Sequence, residues 1–234
     1  MNLWTGERVT GMSQTDNNNF SPLEQLKSDW YVIILIIATF AAAVYFYPQL
    51  PERVPSHWNV RGQVDGYSSR IWGAFGIPLM NAGIYLMMLF LPLIDPRRDN
   101  YVKFAGTYRL LRVVFVCFFT GLYVIIILAA MGYPISVDRL VPLGISLLFV
   151  FIGNYMGRIQ HNYFVGIKVP WTLASEEVWR KTHRLAGPLW VIAGLLGIVG
   201  AMIGGTAAMW FLFVPLLSAT VIPVVYSFLI YKQL

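Results

Sequence analysis

Six apolar runs, at about residues 30–47, 71–94, 110–131, 141–156, 185–204 and 207–231, take up most of this 234-residue chain. Crossing a hydrocarbon core of roughly 30 Å takes about 20 helical residues. A segment in lipid must also satisfy its own backbone polar groups, which an α-helix does. Each run is therefore predicted to be a membrane helix, and the fold to be all-α, a polytopic bundle of six transmembrane helices. The composition agrees, because 57% hydrophobic against 12% charged residues is too apolar for a soluble domain of this length.

Loop charge predicts orientation, since Lys and Arg beside membrane helices are retained on the cytoplasmic side. Thirteen of the seventeen basic residues flank one set of ends: Arg8 and Lys27 in the N-terminal tail, Arg97, Arg98, Lys103, Arg109 and Arg112 around the second connection, Arg158, Lys168, Arg180, Lys181 and Arg184 around the fourth, and Lys232. Arg53, Arg61, Arg70 and Arg139 take the other side. Both termini are expected in the cytoplasm, and the net charge of +6 is read as topology, with no nucleic-acid partner. The single cysteine, Cys117, falls in the third run, so no intramolecular disulfide forms; it is expected to be a small core residue. The late start of the first run, after a mixed-charge tail, reads as a retained anchor and not a cleaved leader.

The chain divides at composition shifts. Residues 1–20, polar and including Asp16-Asn17-Asn18-Asn19, are expected to be a mobile tail. Residues 21–94 hold spans one and two with a 24-residue polar connection, 95–140 the third span and its flanks, and 141–234 the last three spans. Ser21, Pro22 and Glu24 supply a helix start, predicting one helix that runs on into span one. Pro78 and Asn81 in span two and Pro223 in span six mark inward surfaces. Ala193, Gly197, Ala201 and Gly205, with Gly200 and Gly204 beside them, form a small-residue stripe for close packing of span five.

Two polar constellations interrupt this apolar sequence. In the first, between spans one and two, Pro48, Pro51 and Pro55 favour extended backbone, and Arg61-Gly62 and Asp65-Gly66 are turn signals. In an extended middle His57 and Asn59 share one face and Trp58 and Val60 the other. His57, Trp58, Asn59, Gly62 and Asp65 are thus candidates for an external binding surface. The competing and favoured reading makes the polar ones turn-forming hydrogen bonders, since one His with weak oxygen donors falls short of a zinc set.

In the second, Asn154, Arg158 and His161 recur at i, i+4 and i+7, giving one polar stripe if span four stays helical to its end. Gly153 and Gly157 flank it. After a Val169-Pro170-Trp171 turn, Ser175 is a helix N-cap, with Glu176–Arg180 and Glu177–Lys181 as i,i+4 pairs. Trp179, His183, Ala186 and Trp190 make an inward face, so a hairpin of spans four and five brings Asn154, Arg158 and His161 toward His183 in one inner pocket. Two readings stand: mutual satisfaction of helix-end residues, or a functional centre of the kind that polar residues inside membranes mark.

The sequence has no HExxH, GxSxG or P-loop motif and no paired carboxylates within a span, so no catalytic residue, metal or cofactor is assigned. His161 and His183 leave a metal-dependent hydrolase as one alternative, and a three-plus-three inverted topology leaves a transporter as another.

Residues Gly153, Asn154, Asn162, Gly166, Ile167, Lys168, Pro170, Trp171, Thr172, Leu173, Glu177, Trp179, Thr182, His183 and Gly187 follow the pattern GN…N…GI(R/K)…PWTL…E…W…TH…G. In this the chain resembles the SdpI family of bacterial membrane proteins, named for an immunity protein that protects a producing cell from its own secreted peptide toxin. Lys168 stands where Arg is more usual, keeping charge but losing bidentate geometry. Pro51, Val54, Pro55, His57, Trp58, Asn59, Gly62, Asp65 and Tyr67 resemble an uncharacterised module that often precedes the SdpI segment. The resemblance implies a bacterial cell-membrane protein of toxin immunity, a secreted peptide toxin as partner, a cytoplasmic repressor as a possible second, and Asn162, Lys168, Trp171, Thr172 and Trp179 as further residues of the inner binding cluster beside the membrane lipids.

Overall fold

A computed structural model describes residues 20–234. Ser21 caps α1 (Pro22–Ser28) by accepting from the Glu24 N–H, as the sequence predicts. The helix does not run on unbroken. It kinks at Asp29, whose ψ of 18° leaves the helical region, and α2 (Trp30–Phe46) begins anew. The break turns the Asp29 carboxylate into the bundle. The expected mobile tail lies almost wholly outside the described residues.

Spans two to six are α3 (Arg70–Ile94), α5 (Ala105–Ala130), α6 (Val137–Met156), α8 (Glu176–Ile203) and α9 (Gly205–Tyr231), with the short α4 (Asn100–Lys103) leading into α5. With α2 these six are long and apolar enough to cross a membrane. Helices α5 and α8 start five and nine residues before their apolar runs. The charged approach is helical too, so Arg109 lies on α5, outside the predicted run that already held Arg112.

The first connection folds as a β-hairpin, β1 (Arg53–Trp58) against antiparallel β2 (Val64–Ser69), on the end of the bundle. Val54 is fully buried, packing on Gly73 of α3. Pro78 and Asn81 face inward as predicted, and Asn81 Nδ2 donates to Val116 O and Thr120 Oγ1 of α5, both at 3.2 Å. Glycines set the helix crossings. A Cβ on Gly153 of α6 would lie 2.8 Å from Gly187 O and Val191 N of α8, and one on Gly194 would meet Ser146 O at 2.6 Å. Gly200 has its close approach to α9, at Phe211 and Ala208. The small residues of α8 therefore serve packing on both sides.

Cys117 is a correction. It is exposed in the cleft between α5 and α6 and is not a core residue.

A buried ion pair joins span one to span three. Arg112 and Asp29 are both 0% exposed; Arg112 Nη2 reaches Asp29 Oδ2 at 2.8 Å and Gln25 Oε1 at 2.8 Å. Arg109 Nε donates to Asp29 Oδ1 at 2.8 Å, and Tyr85 OH to Oδ2 at 3.4 Å. One carboxylate thus meets two guanidiniums and a phenol at the kink.

Candidate functional site

One polar site is built around Trp179 on the first turn of α8. Ser175 caps that helix, accepting from Val178 N–H, and Lys181 pairs with Glu177 at 2.7 Å, whereas the expected Glu176–Arg180 pair does not form. Trp179 is buried, its Nε1–H donating to Ile159 O at 2.9 Å. Two imidazoles stack on its indole. His183 lies 4.0 Å away between ring centroids at 21°, and His161 at 5.0 Å and 27°.

Both nitrogens of His183 are engaged. Nδ1–H donates to Trp179 O at 2.8 Å, and Nε2 accepts Ile167 N–H at 2.9 Å, which fixes the neutral tautomer. Gly166 makes this possible. Its φ of +123° suits glycine, and a Cβ there would collide with His183 Nε2 and come within 3.0 Å of the Trp179 ring.

The loop between α6 and the short α7 (Pro170–Ala174) is shaped by Asn162, whose Oδ1 accepts from Phe164 N and Val165 N at 2.8 and 2.7 Å while Nδ2 donates to Gln160 O and Val165 O. Thr172 Oγ1 accepts from Val169 N at 3.0 Å and donates to Ile167 O at 2.8 Å. Trp171 Nε1–H donates to Ser227 Oγ on α9. The predicted turn at Pro170-Trp171 is thus a helix of its own. Lys168 is exposed.

The proposed stripe does not form. Helix α6 ends at Met156, so Asn154 and Arg158 stay exposed, Arg158 over the Tyr155 ring at 5.1 Å, while His161 turns into the core. The spans-four-and-five hairpin does join His161 to His183, but without the other two. In their place stand residues of the second connection, which the sequence reading counted only as topology signals or passed over. Arg97 Nη1 donates to His161 Nδ1 at 2.6 Å, and Asn100 Nδ2 to His161 O at 2.7 Å. Asp95 Oδ2 accepts from Tyr101 OH and Tyr163 N, both at 2.9 Å, and Tyr101 OH also reaches Asn162 Oδ1 at 3.3 Å. The signal available was the polar run Asp95-Pro96-Arg97-Arg98-Asp99-Asn100 directly after a span.

Burial, reinforced by the Arg97 guanidinium, pushes the His161 pKa down. Burial and the hydrogen bond to Asp95 push that of Tyr101 up. A histidine lowered in the folded state binds fewer protons there than when unfolded, so its contribution is complete above the ordinary value of about 6.5 and is lost as pH falls below it. Purified chain is expected to lose thermal stability as pH falls from about 6.5 to about 5. His161→Gln should flatten that loss; an unchanged profile would refute the assignment.

His161 Nε2 and Thr182 Oγ1 are buried without a hydrogen-bond partner among the described residues. Among those residues no three His, Cys, Asp or Glu gather as a metal set.

The other polar site is the β-hairpin. His57 Nδ1 and Asp65 Oδ1 are 2.5 Å apart and both exposed. Asn59 does not share a strand face with His57; it lies past β1 and holds the turn, its Oδ1 accepting from Arg61 N at 2.9 Å and Gln63 N at 3.1 Å. Gly62, at φ +75°, packs so close to Asp138 at the start of α6 that a Cβ would sit 2.8 Å from Asp138 Cβ. Beneath, a groove of about 250 Å³ runs between Ser56, His57, Trp58 and Asn59 above and Leu122, Ile126, Val137 and Met209 below.

The His161–Trp179–His183 stack and the hairpin lie in the two segments that known families match, whereas Asp95, Arg97, Asn100 and Tyr101 lie in neither. Residues 158–227 match the SdpI/YfhL protein family, and residues 34–82 a domain of unknown function, DUF1648. The chain thus carries an SdpI-family segment behind a DUF1648 segment. It is 25% identical over 209 residues to the immunity protein SdpI of Bacillus subtilis (strain 168), an alignment covering 89% of this chain and 98% of the relative. No solved structure matches. The SdpI-family segment begins at Arg158 and takes in the His161–Trp179–His183 stack, and the DUF1648 segment holds the hairpin.

Proposed function

We propose that this chain is an integral membrane immunity protein that protects a bacterial cell against a secreted, membrane-active peptide toxin. The observation that carries this reading is the alignment with the immunity protein SdpI over nearly the whole of both chains. It spans both polar segments, which supports reading them as the working ends of the bundle. In this reading the hairpin faces outward, both termini lie in the cytoplasm, and His57, Trp58, Asn59 and the groove below them meet the toxin. The basic asymmetry of the loops supports that orientation. The inner cluster, with exposed Lys168, Tyr163 and Arg158 around it, is the surface offered to a cytoplasmic regulator. Its tryptophan, histidines and Asn162 hold the loop shape, and the exposed residues make the contact.

The test is a panel of membrane-active peptides scored for killing of a sensitive host with and without the chain. Protection against at least one peptide, by roughly tenfold or more in survival, is expected; no protection at normal membrane abundance would overturn the reading.

A further inference from the structure

Two cavities follow one another along α5 and α6 toward the hairpin side, and together they form a furrow whose character changes along its length. At the inner end is a cavity of about 560 Å³ bordered by Lys103, Arg109, Arg158, Tyr31 and Tyr155. One turn further along each helix, from Leu110 to Val114 and from Tyr155 to Phe151, it passes into an apolar cleft of about 550 Å³ reaching as far as Leu140. Asn154 stands in the cleft's inner end, exposed and without a hydrogen-bond partner among the described residues.

The charge at the basic end is not compensated among the described residues. Lys103 Nζ meets only the neutral Asn100 Oδ1, and Arg158 meets the Tyr155 ring and no carboxylate among the described residues. Arg109 shares the single carboxylate of Asp29 with Arg112, which leaves an excess positive charge. The first turn of α5 opens into the same cavity at Ala105, Gly106 and Thr107, without a side-chain cap, and the space beside Gly106 is empty. Three cations and uncapped amides select an anion with several acceptor oxygens.

We infer that this furrow is a binding site for one anionic glycerophospholipid, its phosphate diester in the Lys103–Arg109–Arg158 cradle, its ester carbonyls beside Asn154, and an acyl chain along the apolar cleft. The order of the three zones matches the order of groups in such a lipid. The roughly 21 Å of α6 between Leu140 and Asn154 gives room for a chain that enters one leaflet. Basic pockets between membrane helices are suited to such head groups, and an unpaired amide beside hydrocarbon is relieved by an ester carbonyl. The site is independent of the hairpin and of any toxin.

Cys117, the chain's only cysteine, lines the apolar cleft and reports on it without mutation. In bicelles containing phosphatidylglycerol, its alkylation by a maleimide is expected to be slower than in bicelles of phosphatidylethanolamine alone, with inorganic phosphate and free glycerol phosphate having no effect. Native mass spectrometry of the full chain should show retained phosphatidylglycerol, with affinity roughly tenfold lower in the exposed-residue variant K103Q/R158Q. Equal alkylation in the two lipids, or undiminished retention in the variant, would overturn the site. Reproduction of the protection by inorganic phosphate would overturn the lipid assignment in favour of a simple anion site.

Discussion

Arg112→Gln is expected to destabilise the purified chain by about 3–5 kcal/mol, because it leaves the wholly buried Asp29 carboxylate short of its main partner. The physical situation is asymmetric. Forming a buried ion pair gains little over apolar packing, since both charges must leave water, but removing one member strands the other. Arg109, partly exposed and on the other carboxylate oxygen, compensates only in part. The same reasoning predicts that Asp29→Leu combined with Arg112→Met recovers most of the loss. Denaturant unfolding in detergent measures both. A single variant within about 1 kcal/mol of wild type would show that the pair contributes nothing to joining spans one and three.

The second large effect is expected at Trp179. Its indole is the surface on which both imidazoles stack, and its N–H ties α8 to the Ile159 carbonyl. Trp179→Ala should cost about 3–5 kcal/mol, as removal of a fully buried aromatic does, and should abolish protection. Trp179→Phe keeps an aromatic face and loses the hydrogen bond, so a smaller loss of about 1–3 kcal/mol is expected from the stranded Ile159 oxygen. Thermal unfolding distinguishes the two. Equal stability of the Ala variant and wild type would mean that the stack is incidental.

The bundle was legible because lipid allows few backbone solutions: six apolar runs give six helices, and Ser21 and Ser175 cap where their side chains predict. Glycine spacing correctly announced close packing, although only the structure shows which glycine meets which helix. The errors share a cause. Periodicity was carried past Met156, where the helix ends, so Asn154 and Arg158 were assigned to a face that His161 does not share. Nothing in local sequence pairs Asp29 with Arg112 or Arg97 with His161, contacts spanning 83 and 64 residues. Basic residues near a span end were read as topology signals, yet Arg112 is buried and Arg97 holds the inner cluster. At the hairpin Arg61-Gly62 is a turn as predicted, held by Asn59, whereas Asp65-Gly66 lies within β2 and is not a turn.

The hairpin is proposed as the toxin-contacting surface of an immunity protein. That role is tested most directly by survival of toxin-challenged cells expressing the chain with His57→Ala and Trp58→Ala together. Neither residue is buried in the core, so membrane abundance should stay at the wild-type level. The predicted result is loss of most of the protection at that abundance; full protection by the double variant would contradict the claim.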